Sequence, residues 1–334
     1  MIELKFRNVV IKQRLKGVNM KANKLISIVV PCYNEEEGLE LFYSELTKVT
    51  DSINNYYTEV IFIDDGSIDK TKNIIYKLAS LNSNVKYITF SRNFGKEAAM
   101  LSGLKNASGD LVVIMDADLQ HPPELLLDMI SAIEDGYDSV ATKRRNRNGE
   151  PLIRSYFAKL FYKIINKTSK ITITEAATDY RLMNRKMVNS VLELSEYHRF
   201  TKGIFEWVGF KTKWLEIDNV ERVAGQTTWS FWGLFTYAIE GIVSFSVAPL
   251  KIASFLGITI SAGSFLYAIY IFIRTLAFGK DVPGYASLLC IILFIGGIQL
   301  ISVGIIGEYL SRTYLEVKNR PNYITDKSNI KDIK

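Results

Sequence analysis

Short apolar runs alternate with helix-like stretches over the first 220 residues of the chain. Four runs predict β-strands at residues 26–30, 60–63, 85–90 and 111–115, and the stretches between them predict helices at residues 35–49, 70–81 and 96–106. Buried strands that alternate with helices are typical of a mostly parallel sheet covered on both faces, the doubly wound α/β class. Ligands bind at the carboxyl ends of the strands in this class, so the polar residues after each strand are predicted to share one pocket.

Two longer apolar runs follow, at residues 254–273 and 286–307, and neither contains a charged residue. Each has about the 20 residues that cross a bilayer, whereas a buried core helix would be shorter and carry a polar stripe. They predict a transmembrane hairpin of two helices. The tail after Gly307 is rich in lysine and arginine, and the connecting loop carries only Arg274 and Lys280. The positive-inside rule therefore predicts a cell-membrane protein whose main domain and both termini are cytoplasmic.

The remaining composition adds little to this architecture. Cys32 lies in the soluble part and Cys290 within a predicted span, so they cannot pair, and their use fits a reducing compartment. Residues 1–24 form a basic arm without the apolar core of a signal peptide, and Met20 is an alternative start.

The ends of the second and third predicted strands carry polar residues with a turn-forming glycine. Asp65 follows the second strand in DDGS, and a carboxylate there can accept hydrogen bonds from a ribose or a nucleobase. The alternative is a plain turn with a helix N-cap. Lys96 follows Gly95 after the third strand and is predicted either to reach a phosphate or to start a helix as a solvated lysine.

The fourth predicted strand ends in Asp116 and Asp118, two residues apart in IMDADLQHPPE, with Gln120 close behind. Two such carboxylates can hold a hard divalent cation whose other ligands are substrate phosphates. They predict a Mg²⁺ or Mn²⁺ site facing a diphosphate, where the cation would stabilise the departing group. His121 and His198 are the chain's two histidines, and without partners at ligand spacing they do not predict a zinc site.

Taken together, these motifs resemble those of glycosyltransferase family 2, in particular the polyisoprenyl-phosphate glycosyltransferases that include the dolichol-phosphate mannose synthases. The resemblance runs over residues 25–320 through PCYNEEE, DDGSIDKT, SRNFGKEAAMLSGL, DADLQHPPE, KRRNRNGEP, TDYRLMNR and the two apolar spans. It implies a GT-A, Rossmann-like catalytic domain. It also implies a nucleotide site formed by Pro31, Tyr33, Glu35, Asp65 and Lys96. The metal and the diphosphate would be bound by Asp116, Asp118 and Gln120.

The basic cluster after the nucleotide half is predicted to grip a lipid phosphate, because guanidinium groups match phosphate oxygens bidentately. Its arginines are Arg144, Arg145, Arg147 and Arg154, and the resembling enzymes use arginines of this region in the same way. A solvated charged surface is the alternative. By resemblance Asp179 orients the sugar or the acceptor; an N-cap or an ion pair with Arg181 is its alternative.

The predicted reaction is the inverting transfer of a sugar from a nucleotide donor to polyprenyl phosphate. A lipid phosphate is already ionised near neutral pH and needs no general base. UDP-glucose or UDP-N-acetylglucosamine is the preferred donor, and GDP-mannose is the alternative. A polymer-building synthase is disfavoured by the two-span anchor and by the missing Gln-x-x-Arg-Trp motif, and a non-catalytic nucleotide-binding scaffold is the hypothesis from another class.

The predicted domains are an N-terminal arm (1–24), a GT-A domain (25–228), an interfacial helix region (229–250), the hairpin (251–310) and a basic cytoplasmic tail (311–334). The aromatic segment 229–249 is predicted to lie at the membrane interface or to dock protomers together. Many relatives carry a basic residue near Thr228 and this chain does not, which leaves Arg222, Gln226 and Trp229 as candidates for closing over the donor. By analogy we expect a homo-oligomer such as a tetramer, a flippase and an outer-face transferase as partners, and no nucleic acid.

Overall fold

The computed structural model describes residues 24–53, 55–145, 162–169, 171–218, 241, 243–278 and 284–331. Several predicted functional residues lie outside these ranges, as does most of the predicted interfacial segment. They are Arg147, Arg154, Arg222, Gln226, Thr228 and Trp229.

The predicted strands and helices of the first half are all present. The strands are β1 (Lys24–Cys32), β2 (Tyr56–Asp64), β3 (Val85–Phe90), β4 (Leu111–Ile114), β5 (Ser139–Arg144), β6 (Ala177–Asn184), β7 (Thr212–Ile217) and β8 (Thr325–Ser328). The helices are α1 (Leu39–Asp51), α2 (Thr71–Leu81), α3 (Lys96–Asn106), α4 (Leu125–Glu134), α5 (Arg185–Glu193), α6 (Thr201–Trp207), α7 (Ala248–Phe278) and α8 (Tyr285–Lys318).

The first helix begins later than its pattern predicts, at Leu39 instead of residue 35. Residues 36–38 form a turn, in which the Gly38 and Leu39 N–H groups donate to the Glu35 carbonyl at 3.2 and 3.1 Å. The backbone N–H groups of Glu35 and Glu36 donate to Thr71 Oγ1, at the start of α2, and to Asp69 Oδ2, at 2.8 and 3.1 Å, so this turn is joined to the segment that follows β2.

The strands of the described residues form one mixed sheet in the order β7-β5-β6-β4-β1-β2-β3-β8. Its centre, β4-β1-β2-β3, is parallel as predicted. Strand β6 pairs antiparallel with both β4 and β5, and β8 pairs antiparallel with β3. The apolar pattern did not predict these additions, because β6 contains polar residues and β8 has no apolar run.

Helices cover both faces of the sheet, as the doubly wound class requires. On one face Phe42 and Leu46 of α1 pack with Phe62 of β2 and with α4. On the other face α3, α5 and α6 pack against side chains that include Ile61 and Ile114. Alternate residues of each central strand therefore enter opposite cores.

The two C-terminal helices are long and apolar enough to cross a membrane, with candidate spans at Ala248–Phe278 and Ile291–Lys318. Helix α8 has 34 residues. At 1.5 Å per residue it is roughly 50 Å long, well beyond the ~30 Å of a hydrocarbon core. Its last turns contact the globular domain, where Glu316 accepts a hydrogen bond from the Tyr197 backbone N–H at 2.8 Å.

The segment after the hairpin is part of the mixed sheet rather than only a basic tail. Helix α8 continues to Lys318, and β8 then lies along the outer edge of β3. Of the predicted interfacial segment, the described part packs on the globular domain: the Phe245 ring lies 5.9 Å from that of Phe200.

Candidate active site

The loops after β1 and β2 are joined by hydrogen bonds. Asn34 has a left-handed backbone, with φ of 55°, which asparagine tolerates better than most residues. Its N–H donates to Ser67 Oγ, and its side-chain oxygen accepts from the Ile68 N–H, both at 3.0 Å. This places Pro31, at the end of β1, and the 44% exposed Tyr33 at one rim of the site. Their contact with a nucleotide, like that of Glu35, stays a prediction.

Asp65 supports the loop that follows β3, residues 91–95, hereafter the donor loop. Its two carboxylate oxygens accept the backbone N–H groups of Phe94 and Gly95 at 2.6 and 2.9 Å. Burial raises the pKa of Asp65 to about 6, and these two hydrogen bonds lower it only in part. The carboxylate is 3% exposed, so its clearest role in the structure is to hold this loop. Direct contact with a nucleotide stays a prediction.

Gly66 and Gly95 allow the two loops to approach. Gly66 has φ of 71°, and a Cβ there would lie 2.3 Å from the carbonyl carbon of Arg92. Gly95 has φ of 96° and immediately precedes α3, as the predicted turn requires. A side chain at position 66 would therefore push the donor loop away from Asp65.

Lys96 lies between two carboxylates from different strands. Its ammonium is 2.7 Å from Asp116 Oδ1 and 2.6 Å from Asp179 Oδ2, and Lys202 Nζ lies 3.8 Å from Asp179 Oδ1. Burial acts to lower the pKa of Lys96, but Asp116 and Asp179 outweigh it and raise the pKa above its ordinary value. In the same way burial would raise the pKa of Asp179, but Lys96 and Lys202 hold it well below its usual range.

The structure does not support the two alternatives for Asp179. The residue lies within β6 and so is not an N-cap, and Arg181 forms its ion pair with Glu206 at 3.2 Å. Asp179 is instead part of the charged cluster that begins at Asp116.

Asp118, Gln120 and Arg144 form the other part of the site. Asp118 Oδ1 accepts the Gln120 N–H at 3.1 Å, and Arg144 Nη2 donates to Gln120 Oε1 at 3.1 Å. Two carboxylates and an amide oxygen are the ligand type that Mg²⁺ and Mn²⁺ prefer. The described residues contain no group of three or more His, Cys, Asp or Glu that could hold a metal, so a cation here would need further ligands such as phosphate or water.

The two described arginines of the basic cluster point to different places. Arg144 reaches the acidic motif through Gln120. Arg145 lies 3.4 Å from Glu216 and 3.7 Å from Asp218, beside β7, and its side chain is 58% exposed. Of this pair, therefore, only Arg144 contacts the acidic motif.

Sequence reasoning missed two residues of the site. Lys202 at the start of α6 contacts Asp179 although it lies far away in the chain, and nothing in its spacing signals this. His121 was considered only as a zinc ligand. Its ring is buried 5.7 Å from that of Tyr180, and neither nitrogen has a hydrogen-bond partner among the described residues. Burial lowers the pKa of His121, which favours the neutral ring.

Comparison with known proteins shows which family this chain belongs to. Residues 27–192 match the sequence profile of glycosyl transferase family 2, and the chain is 46% identical over 306 residues to the putative glycosyltransferase CsbB of Bacillus subtilis, covering 92% of each protein. The chain belongs to glycosyltransferase family 2. Residues 248–313 match a second profile, the GtrB C-terminal hairpin, which covers α7 and all but the last five residues of α8.

Other relatives in the family have more specific names. The chain is 45% identical over 303 residues to the prophage-derived bactoprenol glucosyl transferase of Shigella flexneri, covering 91% of this chain and 98% of that protein. A prophage bactoprenol glucosyl transferase homologue of Escherichia coli is 42% identical over 299 residues, with 90% and 97% coverage.

Among solved structures, glucosyl-3-phosphoglycerate synthase of Mycobacterium tuberculosis, in complex with Mn²⁺, UDP-glucose and phosphoglyceric acid, resembles 67% of this chain and 79% of its own. The sequence identity is 17% and the TM-score is 0.45. This likeness is too distant to transfer a ligand or a residue role.

Proposed function

We propose that this family 2 glycosyltransferase is an inverting, metal-dependent enzyme that transfers glucose from UDP-glucose to polyprenyl phosphate, undecaprenyl phosphate in a bacterium. The contact between Arg144 and Gln120 carries the proposal, because it brings a guanidinium to the Asp116–Asp118 motif. A guanidinium suits an acceptor phosphate, and the carboxylates suit a cation bound to a diphosphate. Glucose is preferred because the Shigella flexneri relative is named a bactoprenol glucosyl transferase.

The reaction is a single displacement at the anomeric carbon. A phosphate oxygen of the acceptor attacks C1 of glucose, the bond from C1 to the UDP oxygen breaks, and its electron pair leaves with UDP. No proton has to move, because the acceptor phosphate is ionised near neutral pH. In-line attack inverts the configuration at C1, and catalysis consists of positioning and electrostatic stabilisation.

Each charged residue of the site has a place in this scheme. Asp116, Asp118 and Gln120 would hold Mg²⁺ or Mn²⁺, which when bound supplies Lewis-acid stabilisation of the departing diphosphate. Lys96, 2.7 Å from Asp116 Oδ1, would contact the same phosphates. Arg144 orients the acceptor phosphate. Asp179 remains ionised between two lysines and orients the sugar or the acceptor.

The nucleotide would lie against the loops that follow β1, β2 and β3. Pro31, Tyr33 and Glu35 form one side, and the donor loop supported by Asp65 forms the other. The parallel sheet centre supports this placement, because it brings these three strand ends to one edge.

The hairpin would hold the site at the cytoplasmic membrane surface, where the lipid phosphate is found. The basic tail and the nearly uncharged connecting loop support this orientation. A charged sugar-phosphate head group does not cross a bilayer unaided, so the product would require a flippase and an outer-face transferase. We also propose that the enzyme works as a homo-oligomer.

The test is product formation by membranes that contain the full-length protein, undecaprenyl phosphate, Mg²⁺ or Mn²⁺ and one radiolabelled donor at a time. UDP-glucose, UDP-N-acetylglucosamine and GDP-mannose are compared. We expect organic-phase label from UDP-glucose, loss of it in Asp118→Ala, and normal product from Asp128→Ala, which changes an exposed aspartate on α4.

The outcomes separate the alternatives. Label from another donor would keep the transferase and change the sugar. UDP binding without any product from folded protein would favour the non-catalytic scaffold instead.

A further inference from the structure

A short segment after α8, residues 319–330, connects the membrane hairpin to the outer edge of β3, the strand that precedes the donor loop. We name this segment the C-terminal strap. Asn319 ends the helix with a left-handed backbone, φ 46°, which turns the chain back. Strand β8 within the strap then pairs antiparallel with β3. At its far end Asn329 accepts the Tyr87 N–H at 2.8 Å and donates to the Val85 carbonyl at 3.1 Å.

The near end of the strap contacts the start of the donor loop. The Ser91 N–H donates to the Ile324 carbonyl at 3.0 Å. Beside it the Tyr323 ring stacks on Phe90, with centroids 4.8 Å apart and planes 13° from parallel. Phe90 is fully buried, so this stack fixes the side chain at the point where β3 becomes the donor loop.

A second ring contact continues into the loop itself. Phe90 meets Phe94 edge to face, with centroids 5.8 Å apart, and the backbone N–H of Phe94 is the one that donates to Asp65. Tyr323, Phe90, Phe94 and Asp65 thus form a continuous row of contacts. Aromatic pairs of this geometry contribute beyond the area they bury, so each contact constrains the next.

We propose that Tyr323 is a positioning residue for the donor: through Phe90 and Phe94 the C-terminal strap holds the donor loop in the conformation that binds nucleotide. The inference rests on the proposed function, because it assigns this loop to UDP. Since the strap begins directly after α8, the same contacts connect the donor loop to the membrane hairpin.

The first test measures how fast the backbone amides of the donor loop exchange with solvent, in the full-length protein in detergent and without any ligand. In Tyr323→Ala we expect the amides of residues 91–96 to exchange at least several-fold faster, with the β1 and β4 amides unchanged. Tyr323→Phe keeps the stack and loses only the hydroxyl contacts with Ser102 and Asn106 of α3, so residues 91–95 should still exchange as in the wild type. Unchanged exchange at residues 91–96 in a folded Tyr323→Ala protein would overturn the proposal.

The second test measures UDP affinity and steady-state constants of the same variants. Tyr323→Ala should weaken UDP binding and raise KM for UDP-glucose by about five- to tenfold, while KM for undecaprenyl phosphate stays constant. A general structural defect would instead change both KM values, which contradicts a positioning role. If Tyr323→Ala does not fold, Phe94→Leu interrupts the same row one contact later and should give the same pattern.

The two proposals fail in different ways. The proposed function would be refuted if the wild-type protein made no lipid-linked glucose. The role of the strap would still hold if the donor loop exchanged faster in Tyr323→Ala. Normal product with unchanged exchange and UDP affinity in the variant would refute only the inference.

Discussion

Glu59 in the amino-terminal half of β2 and Asp116 after β4 are both carboxylates of the central sheet, but their surroundings differ. Glu59 is buried and accepts hydrogen bonds from Ser27 Oγ at 2.5 Å and from Ser108 Oγ at 2.8 Å, and it forms an ion pair with Lys86. Asp116 is partly exposed and shares the Lys96 ammonium with a second carboxylate. The first cluster is closed, and the second leaves acceptor oxygens for a ligand.

The pKa values of Glu59 and of Asp65, the carboxylate directly after β2, shift in opposite directions. Burial alone would raise the pKa of Glu59, but Lys86, Ser27 and Ser108 outweigh it and lower the pKa. Burial raises the pKa of Asp65 to about 6, and its two backbone hydrogen bonds do not offset this. The Glu59 carboxylate therefore stabilises the fold at neutral pH, whereas the buried Asp65 carboxylate costs stability there, as residues of binding sites commonly do.

The largest expected effect is at Asp116. Asp116→Asn removes a charge from the proposed metal site and one partner from Lys96. We expect kcat/KM for UDP-glucose to fall on the order of a thousandfold, since such a cation contributes several kcal/mol to the transition state. The thermal midpoint should move little, and rates comparable with the wild type would refute the metal assignment.

Glu59→Ala should instead reduce the stability of the fold and leave catalysis unchanged. It leaves Lys86 and two serines without their acceptor, and we expect a loss of about 3 kcal/mol in the free energy of unfolding. Because the folded-state pKa is lowered, the stabilisation is present above the unfolded value and is lost as pH falls through the folded pKa. Urea unfolding at pH 7 and pH 4 measures both effects, and the kcat of the folded fraction should be unchanged.

Asp65 should contribute a pH dependence of the opposite sign. Its folded pKa of about 6 lies above its unfolded value, so the folded state is favoured while the group is protonated. Its contribution to the free energy of unfolding should fall by about 2 kcal/mol as pH rises from ~4 to ~6, fall by a few tenths more up to pH ~7, and stay constant above that. Asp65→Asn should lack this slope; an identical slope in the variant would assign it to another group.

The smallest effect is a comparison of neighbouring arginines. Arg144→Ala should raise KM for undecaprenyl phosphate roughly tenfold, the effect of losing one hydrogen bond to a charged group. Arg145→Ala removes exposed ion pairs with Glu216 and Asp218 and should stay within about twofold. Equal effects of the two changes would show that the cluster acts only through its total charge.

The sequence predicted the parallel centre of the sheet and the carboxyl-end cluster well, because both depend on local signals. An apolar run defines each central strand, and the acidic and glycine residues follow directly at its end. The mixed pairing was not predictable in this way, since β8 reads Thr-Asp-Lys-Ser and forms a strand only because the edge of β3 is available. Lys202 and the closed cluster of Glu59 depend on contacts between distant segments, which no spacing records.

The position of β8 also has a consequence for how the protein is made. Its partner β3 is synthesised early, and both hairpin helices are synthesised before β8. Until then the outer edge of β3 carries unpaired backbone groups, which are prone to pair with other chains. Completion of the sheet therefore follows synthesis of the hairpin, and until β8 has been made the nascent chain keeps an aggregation-prone edge that chaperones and proteases can recognise.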